Sequence, residues 1–322
     1  MGRMEEMEAQ LKARMDALNA RHADRMAALD ARMRGQATPL EGSGDETKRS
    51  SSGNHAVCLK ARSDVIGVDN VFFGYVQPSM TEVSQLFEYV RRAPVVQDNT
   101  GYAAIMNRTR FEYIVEADGN TSDQVNADAG LDERGEPVIH LFGGAARIGR
   151  VAALSIAAME YGNDANAAQR FISTLTPLQC CVFSVADAIQ VVNDAGLVGA
   201  LRDDSVITKA RTISAGLMLG IIAHEAGHLS LGHSFSQVNY YMSNMEVARN
   251  REREADSFAS SVIATSPFGE NVLLGTLLWW FVLSSQEGEA LESTHPLSKE
   301  RFENFVRANP DLAKSLGLGQ AE

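Results

Sequence analysis

Ile221-Ile222-Ala223-His224-Glu225-Ala226-Gly227-His228-Leu229 decides how the rest of the chain is read. It is His-Glu-x-x-His inside an apolar segment. On a helix, residues four apart lie one above the other on the same face. His224 and His228 can therefore present two imidazoles to one metal ion. Glu225, next to the first of them, can reach a metal-bound water. A zinc hydrolase needs these parts: two neutral nitrogens, a carboxylate base and a third ligand from elsewhere. A core helix can match so short a pattern by chance, so the third ligand must come from the rest of the chain.

The stretch Ala248 to Ala259 offers one. Charged residues on one side and small apolar residues on the other predict a helix. Glu252 and Asp256 are four apart and share a face. Glu252 follows His228 by enough residues for one helix to end and another to return. Its carboxylate would complete a His₂Glu site. Asp256, one turn on, would accept the second ring N–H of a ligating histidine and fix its tautomer. Glu254 is the competing ligand, but it points about 200° away from Glu252 on a helix. Only one of the two can face the metal, and the pairing with Asp256 favours Glu252. His233 is out of register for a metzincin third ligand, with Leu231 and Ser234 where that pattern wants Gly and His. It reads as a surface or loop residue.

These motifs, with Ser293-Thr294-His295-Pro296 and Arg301 after them, resemble the HtpX and CAAX-prenyl-protease group of zinc metallopeptidases. The resemblance covers residues 205–310 well and 85–160 loosely. It implies a gluzincin (zincin-like) core: α+β, mainly helical, with a small edge-strand sheet. It implies one Zn²⁺ per chain, Glu252 as the glutamate ligand and Asp256 as its orienting aspartate. His295 matches a histidine near the metal that acts as a transition-state or gating group, and Arg301 an arginine that braces the region. Val125-Asn126-Ala127 and the strand before Gly143 resemble the active-site edge strand. The chain departs from the pattern in the segment of about 60 residues between Ala152 and Arg211, read as a helical insertion, and in its N-terminal repeat.

That repeat sets Arg14-Met15-Asp16-Ala17-Leu18-Asn19-Ala20-Arg21 eleven residues before Arg25-Met26-Ala27-Ala28-Leu29-Asp30-Ala31-Arg32. Met4, Met7, Leu11, Met15, Leu18, Met26, Leu29 and Met33 fall in one stripe. Residues 1–34 therefore predict a long amphipathic helix with a nearly straight apolar seam. Its expected use is self-association or a partner helix through residues 3–33, ahead of contact with a membrane surface. Gly35 to Asn54 reads as a linker, leaving 55–322 as the peptidase domain.

Within that domain the patterns predict strands at His55–Ala61, Val71–Val76, Tyr102–Met106, Phe111–Glu116 and Glu136–Phe142. They predict helices at Thr81–Arg92, Ala145–Tyr161, Ala165–Leu175 and Pro177–Asn193. The strand Val138 to Phe142 is expected to hold an extended substrate by β-augmentation.

Composition narrows the classes. The net charge of −12 argues against a nucleic-acid-binding surface, which needs clustered Lys and Arg. Cys58, Cys180 and Cys181 do not read as a disulfide framework. No apolar run reaches the ~18–20 residues of a spanning helix; the nearest, Val272 to Leu283, reads as a buried core helix. With no apolar leader at the N-terminus, a cytoplasmic location is expected, peripheral membrane association being the other option. The expected activity is hydrolysis of peptide bonds in protein substrates, with Glu225 as base and His295 assisting. The alternative is an interaction protein with a structural metal, acting through its N-terminal helix.

Overall fold

The computed structural model describes residues 70–115, 122–175, 182–233 and 245–266, with further helical positions at Asn304, Arg307 and Pro310. The chain separates into two units, Met1–Val68 and Asp69–Glu322, and all described residues lie in the second. The N-terminal repeat, the linker, the strand at 55–61, the three cysteines, Val272 to Leu283, His295 and Arg301 lie outside the described residues.

The architecture is mainly helical with one small sheet, an α+β arrangement. Helices α1 (Asn70–Val76), α2 (Met80–Arg92), α3 (Pro94–Gln97) and α4 (Thr100–Arg108) lead to strands β1 (Arg110–Ile114), β2 (Ala127–Leu131) and β3 (Pro137–Phe142). Helices α5 (Gly143–Tyr161), α6 (Ala167–Leu175), α7 (Val185–Asp194), α8 (Asp204–Ser230) and α9 (Met245–Ala264) follow.

The centre is α8 packed against α5 on one side and α9 on the other. α8 starts where the Asp203 carboxylate accepts from the backbone N–H groups of Ser205 and Val206, which leaves fewer orphan donors in its first turn. Val206, Ala210, Ile213, Leu219 and Ile222 are fully buried along its length. α5 is buried almost end to end, from Gly143 to Ala158. The limits set for a helical insertion, 152 and 211, both fall inside these two central helices, so the segment joining them is 162–203.

By length and composition α8 is apolar enough to cross a bilayer. Its longest unbroken apolar stretch is only Ala215 to Ala223, bounded by Ser214 and His224. Most of it is instead buried inside the protein, where α5, α9, α2 and the sheet cover it.

α2 buries Val83, Leu86, Phe87 and Val90, the face its spacing predicts. Its N-cap is Ser79, so it starts at Met80, one residue before the expected Thr81. Ser79 Oγ accepts from the Glu82 N–H, and the Glu82 carboxylate accepts from the Ser79 N–H. That reciprocal box satisfies two donors at once.

Two expected strands are helices. Val71–Val76 lies in α1, where Phe72, Tyr75 and Val76 are buried at helical spacing. Tyr102–Met106 lies in α4, started by the Asn99 side chain accepting from the N–H groups of Gly101 and Tyr102. In both, aromatic and β-branched content suggested strand, and packing and capping overrode that weak preference. The helix expected from Pro177 starts only at Val185. Val182 bridges to Gln124, and Ser184 forms a capping box with Asp187.

The sheet order is β1-β3-β2, with β3 parallel to β1 and antiparallel to β2. β3 is thus the central strand, hydrogen-bonded on both sides, and it has no edge to offer a substrate. The expectation of β-augmentation on Val138–Phe142 is corrected accordingly. β2 is the outer strand that packs on α8.

Buried Arg147 ties the sheet end of α5 to its surroundings. Its Nε donates to the Phe183 carbonyl at 2.9 Å, its Nη1 to Gln77 Oε1 at 2.7 Å, and its Nη2 to the Ser122 carbonyl at 3.1 Å and to the Asp123 carboxylate. A buried guanidinium is tolerated when its donors are met in this way.

Candidate metal centre

The site lies where the last turns of α8 meet α9. Gly227 sets how closely they approach: a Cβ there would sit 3.1 Å from Ala255 Cα and 3.2 Å from both Ala255 O and Phe258 Cβ. Ala255 and Ala259 keep the facing side of α9 small and buried. This contact brings Glu252 and Asp256 onto the histidines. We expect Gly227→Ala to push α9 outward by a few tenths of an ångström, to cost about 1–3 kcal/mol by overpacking, and to weaken metal binding. Denaturant titration together with a metal-affinity measurement checks both effects.

Three ligand residues converge. His224 Nε2 lies 3.1 Å from His228 Nε2 and 3.2 Å from Glu252 Oε2. His228 Nε2 lies 3.4 Å from Glu252 Oε1. A four-coordinate ion with bonds of about 2.0–2.1 Å spaces its ligand atoms about 3.3–3.4 Å apart; the two ring nitrogens are near that spacing, each histidine has one Glu252 oxygen near it, and one ligand atom from each of the three residues lies within 4.8 Å of the others. His224, Glu252 and Asp256 are buried, and His228 and Glu225 are half-buried.

The donor chemistry agrees with the spacing. His224 Nδ1 donates to Asp256 Oδ1 at 2.9 Å. In the neutral ring that leaves a lone pair on Nε2, which faces the Glu252 carboxylate, another acceptor. Two buried acceptors aimed at one point repel unless a cation lies between them. These residues could therefore hold a metal ion.

His228 is oriented from its other side. Its Nδ1 lies 3.1 Å from His233 Nδ1, and His233 Nε2 lies 2.9 Å from Glu254 Oε2. His233 lies past the end of α8, in the loop its sequence position suggests, but its side chain is only 8% exposed and turned inward rather than out to the surface. Burial pushes its pKa down; the Glu254 hydrogen bond pulls the other way and does not offset it.

Sequence reasoning missed this pair because a residue five past His228 is off its face on a continuous helix. α8 does not continue. The Leu231 N–H closes onto the Gly227 carbonyl, and Gly232 turns left-handed with φ of 76°. A glycine just past the last turn is the usual device for such a stop, and Leu231-Gly232-His233 carried that signal. Arg251 Nη1 donates to the His233 carbonyl at 3.0 Å and holds the reversed segment against α9.

The expected residues are therefore brought together as follows. His224, His228 and Glu252 meet at one point, Asp256 backs His224, and Glu225 shares the helix turn of His224. Glu254, weighed as a rival ligand, faces His233 instead. No curated protein and no solved structure matches the chain. One family model, described as Peptidase U49, matches residues 202–315, the stretch that contains α8, α9 and all the residues of this centre.

Proposed function

We propose that the chain is a zinc-dependent endopeptidase of gluzincin type that cuts peptide bonds in protein substrates. The observation that carries this is the convergence of His224, His228 and Glu252 beside Glu225. The match to a peptidase family over the same residues supports it. Two imidazole nitrogens and one carboxylate suit zinc, and three protein ligands leave a position open for chemistry. The resemblance to the HtpX and CAAX-prenyl-protease group implies the same assignment.

A zinc ion there supplies Lewis-acid polarisation of water and of the scissile carbonyl. The chain's own residues do the rest. Glu225 takes one proton from the attacking water and returns it to the amine nitrogen as the C–N bond breaks. Asp256 keeps the His224 ring turned so that Nε2 faces the cluster. β2, the outer strand beside α8, replaces β3 as the strand proposed to align an extended substrate. His295 is proposed as a donor to the developing oxyanion, braced by Arg301. Residues 3–33 are proposed to bind a second copy or a partner helix.

The test is cleavage of an unfolded protein by the purified chain. Activity is expected to disappear with a chelator and to return on adding back one equivalent of zinc. Cleavage that continues unchanged in the chelator contradicts the metal-dependent reading.

A further inference from the structure

α9 presents three carboxylates to this centre at positions 252, 254 and 256, and two of them point where they cannot share the ligand's task. Glu252 meets the two histidine Nε2 atoms and Asp256 meets His224 Nδ1. Glu254 lies on the far side of the helix from Glu252 and reaches His233. The His233 ring fills the gap between Glu254 and His228.

The proton positions along this line follow from one another. The Glu254 carboxylate is an acceptor, so His233 Nε2 carries the hydrogen. For His228 to turn a lone pair on Nε2 toward an ion, its Nδ1 must carry the hydrogen, and His233 Nδ1 must then be the lone pair that accepts it. Two ring nitrogens 3.1 Å apart can share only one hydrogen, so the one between them belongs to His228 Nδ1. His228 Nε2 is left as a lone pair, and it is the atom 3.1 Å from His224 Nε2 and 3.4 Å from Glu252 Oε1. Remove His233, and the tautomer and ring angle of His228 lose this constraint.

We propose that His233 and Glu254 are positioning residues for the ligand set: Glu254 orients His233, and His233 holds His228 with its Nε2 lone pair toward the ion. The inference deepens the proposed function and rests on it. The two ligand histidines are then set by different means, His224 by a carboxylate directly and His228 by a carboxylate acting through a second imidazole. Both carboxylates come from α9, the helix that also carries the third ligand, so one packing contact aligns the whole set. The left-handed Gly232 and the Arg251 bond to the His233 carbonyl bring the ring back over the last turn of α8. His233 is not a fourth ligand in this arrangement, because its Nδ1 faces the His228 ring and its Nε2 faces Glu254.

The experiment measures zinc affinity of the full chain by competition with a chromophoric chelator, and the visible spectrum of the cobalt-substituted protein. His233→Leu, which keeps bulk and loses the acceptor, is expected to weaken zinc about 10–100-fold and to alter the cobalt spectrum. His233→Asn is expected to recover most of the affinity, since its amide oxygen lies close to where Nδ1 was and can accept the His228 N–H. Glu254→Ala, at a 61% exposed side chain that tolerates replacement, is expected to weaken zinc in the same direction and keeps the test decisive if His233→Leu does not fold. Wild-type affinity and spectrum in Glu254→Ala and in a folded His233→Leu overturn the relay while leaving the zinc site standing. An Asn variant no better than Leu overturns the acceptor role of His233. A wild-type chain that binds no zinc removes the metal reading itself, an outcome distinct from the other two.

Discussion

Glu225→Gln is expected to lower peptide-bond cleavage by about 10²–10⁴-fold, the range a positioned general base contributes, while zinc content stays at the wild-type level. Gln has the size and polarity of Glu, but its amide cannot take a proton from water. The side chain is half-buried and sits one residue from His224, outside the set of three converging ligand residues. The change therefore removes the base without removing a ligand. The fold should hold, because the neighbouring Ala223, Ala226 and Leu229 of α8 are buried by packing that Gln does not alter. Single-turnover cleavage of an unfolded protein with zinc-loaded enzyme reads the loss directly. Cleavage that is undiminished assigns the base to another residue.

Glu252→Ala carries the second large effect, and it falls on binding instead of chemistry. The two histidine nitrogens would keep their lone pairs aimed at an ion that had lost its only carboxylate ligand. Two neutral imidazoles alone do not make the three-ligand set of a catalytic zinc site. Zinc content after dialysis is expected to fall from one per chain to near zero, and cleavage with it. Asp256→Asn is milder: it keeps a side chain that can accept the His224 Nδ1–H but removes the charge, and the expected loss in affinity is about 10–100-fold. Isothermal titration with zinc separates the two variants, since one loses the site and the other only its strength.

The parts of this centre that were legible in the sequence are those whose spacing equals a helix period. His224 to His228 and Glu252 to Asp256 are both steps of four, and each pair shares a face of α8 or α9. The buried face of α2, Val83-Leu86-Phe87-Val90, was legible for the same reason. Spacing could not show that β3 has a neighbour on each side. The run Pro137 to Phe142 is apolar at all but His140, and such a run marks a strand covered on both faces. That was the available sign of a central strand. Spacing also hid His233, because its approach to His228 depends on a left-handed glycine and not on a helix period. α1 and α4 were hidden by composition: Phe, Tyr and Val favour strands only where a pleated surface is there to pack on. Phe72, Tyr75 and Val76 are instead buried at the spacing of a helix face.

The most direct measurement is metal analysis of the full chain purified without chelator, alongside Glu225→Gln and Glu252→Ala. The account predicts one zinc per chain in the wild type and in Glu225→Gln, and none in Glu252→Ala. A wild-type chain without stoichiometric zinc, or zinc retained in Glu252→Ala, contradicts it.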